Sequence, residues 1–276
     1  MILNFDEFQK ANQSGSELNN IRIKNLNIFK EKGFPSKREE NWKYTDLKTI
    51  LSNNLSTLEI PNNKRTSQYN SEWLLKDFKH NQIVLVNGDF VSSDFSFEDK
   101  EKIKIKPLKI VLNGEKDFEK IRDYFTDQQN SLTSLNHALV NDGIFLEIED
   151  NYSFNKPLII YNFFNKFSEN KIINNKSFIS LGKNSKLSLL EYYKAEDSIK
   201  YFNNTIHNYL IQKNAILKKF STDSNLDNSY NYHLTNVKSY SNSIFENFLF
   251  SSGSSFVKNE IHCNLLESFS SCFVNA

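Results

Sequence analysis

Glu147 and Glu149 are the pair of carboxylates in this sequence best spaced for acid–base work. On a strand, residues two apart share a face, so these two would stand side by side as the paired acids of a glycoside-cleaving site do. A solvated strand face opposite Ile144, Leu146 and Ile148 accounts for the same spacing more simply. The histidines His80, His137, His207, His233 and His262 are isolated, with no HxH or HExxH pair among them. His262 adjoins Cys263, but neighbours on a strand point to opposite faces and cannot chelate one ion together. Cys263 and Cys272 fit neither a disulfide framework nor the CxxC spacing of a zinc site, and Cys272 reads as a small interior residue. There is no phosphate-cradling G-x-x-x-x-G-K-[ST], no G-x-G-x-x-G and no G-x-S-x-G. These residues predict no catalytic centre and no metal site.

The densest polar stretch is "GFPSKREENWKYTDLKTIL", residues 33–51. Gly33 reads as a helix stop, Ser36 with Glu39 has the S-x-x-E form of a capping box, and Thr45 is placed to cap a helix through Leu47, Ile50 and Leu51. Trp42 and Tyr44 are expected to anchor the segment. The stretch therefore reads as an ordered hinge between helices.

The charges exclude some functions. With a formal charge of +1 and acids and bases interleaved, there is no basic field to concentrate nucleic acid or an anionic membrane. No window approaches 18 uninterrupted apolar residues, and the first ten carry two acids and no signal pattern. Together with the sparse cysteines, this places the chain in the cytoplasm as an expectation.

The elements that position these residues change character along the chain. Ser16 precedes a helical series Leu18, Ile21, Leu26 and Phe29, while residues 59–72 read as a loop. "IVLVNGDFV" predicts a hairpin turning at Asn87-Gly88, and helices are predicted at "EKDFEKIRDYF" and "SLTSLNHALVNDG". From Gly143 the text is strand after strand. The organisation expected is a helical region over 1–80, a mixed α/β connection over 81–142 and a β region over 143–276. A loose pattern recurs as Leu181, Asn184, Ser185, Leu187; Ile211, Asn214, Ala215, Leu217; Phe250, Gly253, Ser254, Phe256; and Leu266, Phe269, Ser270, Cys272. A small residue after a turn suits stacked coils, but these uneven intervals leave a sandwich, a barrel and a solenoid all open.

Several stretches together carry a resemblance. "GFPSKREENWKYTDL", "SLNHALVNDGIFLEI" with "KPLIIYNFF", "LGKNSKLSLLEYY", "FNNTIHNYLIQKNAILKKF" and "SSGSSFVKNEIHCNLLES" resemble, in order, the pattern of the SufB/SufD family of iron–sulfur cluster assembly scaffolds. The W-K-Y-T stretch in this layout favours the SufD branch. Signature positions are Pro35, Arg38, Glu40, Trp42, Lys43, Tyr44, Thr45, Asn136, Asp142 and Gly143; Lys258 stands where many relatives carry Arg. The resemblance implies a right-handed parallel β-helix preceded by an N-terminal α-helical region. It also implies a non-catalytic scaffold partnered by SufB and the ATPase SufC, with no cofactor held by this chain alone and an iron–sulfur cluster at the assembled complex. Relatives continue beyond the equivalent of "SSCFVNA", so the expectation is a β-helix incomplete at its C-terminal end.

Overall fold

The computed structural model describes residues 3–6, 16–55, 57–61, 67–126, 130–224 and 227–276. Helix α1, Glu17–Lys32, starts where the Ser16 side chain accepts a bond from the Asn19 N–H. It stops at Gly33, whose φ of 71° closes a bond to the Phe29 carbonyl. The Ser36 N–H does reach the Glu39 carboxylate, at 3.2 Å, yet the chain then makes a single 3-10 turn over Glu40–Trp42 and not a second helix. Helix α2, Leu47–Asn54, is capped by Asp46 rather than Thr45. The Thr45 N–H closes the preceding turn onto the Trp42 carbonyl, which leaves Asp46 in the extended conformation that a cap requires. The predicted helix at "EKDFEKIRDYF" breaks, giving α4 (Glu115–Glu119), after α3 (Leu108–Asn113), and a 3-10 turn over Arg122–Phe125. Helix α5, Ser131–Leu139, is buried along its whole length. Of the loop read at 59–72, residues 62–66 lie outside the described residues.

The strands form two sheets. One has the order β13-β11-β9-β7-β5-β1-β2 and the other β12-β10-β8-β6-β4-β3. The strands are β1 Asn81–Val86, β2 Asp89–Asp94, β3 Ile103–Pro107, β4 Gly143–Ile148, β5 Leu158–Phe164, β6 Ile172–Leu181 and β7 Lys186–Ala195. They continue as β8 Tyr201–Ile211, β9 Ile216–Ser224, β10 Ser229–Ser239, β11 Ile244–Ser252, β12 Phe256–Leu265 and β13 Ser271–Asn275. From β4 onward the chain alternates between the sheets and every pairing is parallel, two strands on, which makes a parallel β-solenoid of about four turns. The solenoid is thus selected from the three all-β architectures that periodicity left open. β1 already pairs parallel with β5, so residues 81–86 belong to the same sheet. At the leading edge both sheets end in antiparallel partners: β2 beside β1, across the Asn87-Gly88 turn, and β3 beside β4.

One corner of the coil sets the repeat. Asn151, Asn184, Asn214, Asn242 and Phe269 all have φ between 55° and 61°, and their intervals shorten from 33 through 30 to 27 residues. Asparagine tolerates this left-handed conformation best among residues with a side chain. The Asn184 side chain donates to Asn151 at 2.7 Å, and that of Asn214 to Asn184 at 2.8 Å, forming a ladder up the corner. Phe250-Gly253-Ser254-Phe256 belongs to the opposite corner, between β11 and β12, and the rung it displaced is Ser239-Asn242-Ser243-Phe245. With that substitution the uneven spacing disappears.

Helices cover the outer face of the six-stranded sheet. Leu26, Phe29, Leu47, Leu51, Leu132 and Leu135 pack on Ile172, Phe202, Ile206 and Tyr232, and α3 and α4 pack on Phe145 and Phe178. On the seven-stranded sheet, Tyr69, Trp73, Leu74 and Leu75 cover Val84, Val86, Ile159, Tyr161 and Phe163.

Candidate functional site

The signature residues divide into joints and surface. Trp42 is 2% exposed and lies 5.8 Å from the Tyr232 ring, while the Lys258 ammonium sits over the indole at 4.7 Å. Lys258 also donates to the Asn41 carbonyl at 2.9 Å and pairs with Glu260 at 3.3 Å. Tyr232 donates to Glu260 at 2.7 Å and accepts from Asn130, the residue whose side chain caps α5. The N-terminal turn, α5 and β12 thus meet at one polar knot, in which a lysine at position 258 needs only a point charge. Pro35 is buried beside this segment and Thr45 is half-buried. Arg38, Glu40 and Lys43 are exposed, as is Tyr44 at 87%, so of the two aromatic residues only Trp42 anchors the hinge. Lys43 pairs with Glu40 at 2.8 Å on that open side.

This contrast gives a first prediction. Trp42→Phe is expected to cost about 1–2 kcal/mol through lost contact area and a weaker cation–π partner, and Tyr44→Ala within about 0.5 kcal/mol, both read from urea unfolding midpoints.

The second group of signature residues closes the entry to the solenoid. Asp142 is buried, and its carboxylate accepts the backbone N–H groups of Lys109 at 3.0 Å, Gly143 at 2.9 Å and Phe90 at 3.1 Å. It therefore fixes α3, β4 and β2 to one point, with the Lys109 ammonium 3.5 Å away. Asn136 donates from one amide to the carbonyls of Asn175, at 2.9 Å, and Asn204, at 2.8 Å, and so ties α5 to two successive coils. Arg22 of α1 donates to the Val140 carbonyl at the C-terminus of α5. Apart from the Asp142–Lys109 ion pair, these are bonds to backbone that join elements.

The strongest electrostatics lie inside the coil. Glu191 on β7 is 1% exposed and accepts from Lys219 at 2.8 Å, Tyr209 at 3.0 Å and Ser221 at 3.1 Å, with His207 Nδ1 at 3.2 Å. Ser177 lies 2.9 Å from the same imidazole nitrogen. His233 stacks on His207 at 6.5 Å and meets Tyr193 edge-on at 5.0 Å. Burial alone would raise the Glu191 carboxyl, but the charges of His207 and Lys219, the Lys219 bond and His233 outweigh it and bring the pKa from 4.5 down to about 2. Burial and the Glu191 charge push the Tyr209 phenol well above its usual range. Glu191 is therefore a fixed anion and Tyr209 a fixed donor.

Sequence reasoning passed over this cluster, although strand parity carries it. Glu191 shares the face of Leu187 and Leu189, Lys219 that of Leu217, and His207 that of Tyr209 and Ile211, so each must point inward with its apolar neighbours.

The residues read first for chemistry are dispersed. Glu147 lies 3.7 Å from Lys120 and Glu149 lies 3.1 Å from Lys104, each in its own ion pair at the surface, so the geometry does not favour a glycosidase-like pair. His80 contacts the Tyr161 hydroxyl at 2.8 Å. Burial, with Lys176 nearby, holds the His137 pKa well below its usual value. Among the described residues no three His, Cys, Asp or Glu side chains converge where they could hold a metal ion. No described helix is long and apolar enough to cross a membrane. Cys263 and Cys272, far from any spacing motif, are brought to 2.7 Å between their sulfurs.

The comparisons agree with this layout. A family model described as the SufBD protein N-terminal region matches residues 5–160. A second, described as the SufBD core domain of SUF system FeS cluster assembly, matches residues 163–276. No curated protein matches the chain. The boundary between the two models falls within β5, just after the capped entry to the coil. With both models matched in order along the chain, it belongs to the SufB/SufD family of SUF-system iron–sulfur cluster assembly proteins.

Proposed function

We propose that the chain is a non-catalytic scaffold on the SufD side of this family, working in the cytoplasm with SufB and the ATPase SufC. The observation that carries the reading is how the outer face of the seven-stranded sheet is divided. Its first strands are covered by Tyr69, Trp73, Leu74 and Leu75, but the apolar stripe runs on, uncovered, through Phe220, Phe248, Phe250 and Phe273. Phe220 and Phe248 stack nearly parallel at 5.1 Å, beside an open groove of about 680 Å³ lined also by Leu190, Lys218 and Glu246. An exposed aromatic patch rimmed by paired charges is the composition of a protein interface core.

Co-expression with SufB and SufC followed by size exclusion tests the reading. The chain is expected to co-elute with at least one of them, and the Phe220→Glu/Phe248→Glu variant to lose co-elution by at least about tenfold while keeping its unfolding midpoint. Separate elution of the unaltered chain from both proteins would sink the proposal.

A further inference from the structure

Cys263 and Cys272 lie on strands of different sheets, β12 and β13, joined by the turn at Leu266–Ser270. In register, Cys263 follows Val237 and Cys272 follows Phe245, two residues of the coil's apolar interior. Both thiols therefore point inward from facing walls and meet, with their sulfurs 2.7 Å apart. A bonded pair stands at about 2.05 Å, so closure needs a movement of well under an ångström. Both residues are half-buried. The two strands share no ladder hydrogen bonds, because each pairs within its own sheet.

We propose that Cys263 and Cys272 form a modification site, a dithiol that a peroxide-class oxidant converts into an intrachain disulfide pinning the two sheets together at this coil. One thiol attacks a peroxide oxygen: an S–O bond forms, the O–O bond breaks, and the thiol proton leaves with the departing oxygen as water. The second thiol then attacks the sulfenic sulfur: the S–S bond forms, the S–O bond breaks, and a second water leaves. The two sulfurs give up two electrons and the peroxide takes them. Burial and the adjacent Cys272 raise the Cys263 thiol to about 12. Its thiolate is therefore scarce near neutral pH, and closure quickens as pH rises. This site is independent of the scaffold reading above.

The test is to treat the full chain with hydrogen peroxide and follow it by intact mass, thiol labelling and a non-reducing peptide map. The expected result is a loss of two hydrogens, the two thiols disappearing together, and one peptide linking 263 to 272 that a reductant releases. Closure is expected to quicken as pH rises from about 7 to about 9. Cys272→Ser, which keeps the size of the side chain, is expected to abolish the linked peptide. Independent oxidation of either thiol to the sulfinic acid, an interchain disulfide in place of the internal one, or two thiols still titratable after prolonged exposure would each overturn the proposal.

Discussion

Replacing Gly143 with alanine is expected to cost at least about 4 kcal/mol, a large share of the stability of an ordinary domain. Gly143 opens β4 with φ at 148°, a region that side chains rarely enter. A Cβ built there falls 1.9 Å from the Lys176 carbonyl oxygen and 2.8 Å from the Asn175 side-chain oxygen. Lys176 is the ladder partner of Gly143, so the clash is with backbone and cannot be relieved by a rotamer change. Moving the strand apart would also pull on Asp142, whose carboxylate holds three backbone N–H groups at this corner. Gly33→Ala is the control: its φ is 71° but nothing lies within 4 Å of the added carbon, so only backbone strain of about 1–2 kcal/mol is expected. Urea unfolding of both variants separates the two effects. A Gly143→Ala midpoint close to that of Gly33→Ala would show that the joint is more pliable than its geometry.

The second large effect is expected at Glu191. Glu191→Gln keeps the shape but removes the anion facing Lys219, His207 and Tyr209, leaving a buried ammonium without its counter-charge. Breaking a buried pair in this way costs about 3–5 kcal/mol. The double variant Glu191→Gln/Lys219→Met is expected to recover most of that loss, since it removes both charges. A double variant no more stable than the single one would mean that the hydroxyl and imidazole contacts dominate.

The acid limb of stability follows from the same residue. Its pKa is lower in the folded chain, about 2 against 4.5, so the folded state favours the charged form. The stabilisation is complete above the ordinary carboxylate value and is lost as pH falls from about 4.5 toward about 2. At about 1.4 kcal/mol per unit, this is on the order of 3 kcal/mol. The loss is expected in unfolding curves of the unaltered chain and is absent at this site in Glu191→Gln.

Local signals in the sequence were enough for the helix start at Ser16, its stop at Gly33 and the hairpin at Asn87-Gly88, because each depends on the conformational preference of one or two residues. The coil was harder to read. Four of its five corner residues are asparagines, which are common throughout this chain, so Asn242 gave no more signal than its neighbours and Gly253 took its place in the pattern. The resemblance to a known family supplied the solenoid where periodicity stopped. The ionic cluster at Glu191, His207 and Lys219 went unread for a different reason. Charged residues in alternating strands are ordinarily assigned to the solvent side, and only the parity of the adjacent leucines places them inside. The two cysteines show the limit of spacing rules. Residues nine apart become neighbours only once a turn has folded the chain back between the sheets.

Asn136 has a consequence for the order of assembly. A single amide that holds the carbonyls of Asn175 and Asn204 cannot be satisfied until β6 and β8 lie side by side, at the spacing of one coil. In a stacked array each turn contacts only its neighbours, folding spreads from whichever pairing forms first, and that first pairing is the costly event. With α5 fixing the spacing of those two coils, the coil is expected to nucleate against the helices and to grow outward from them.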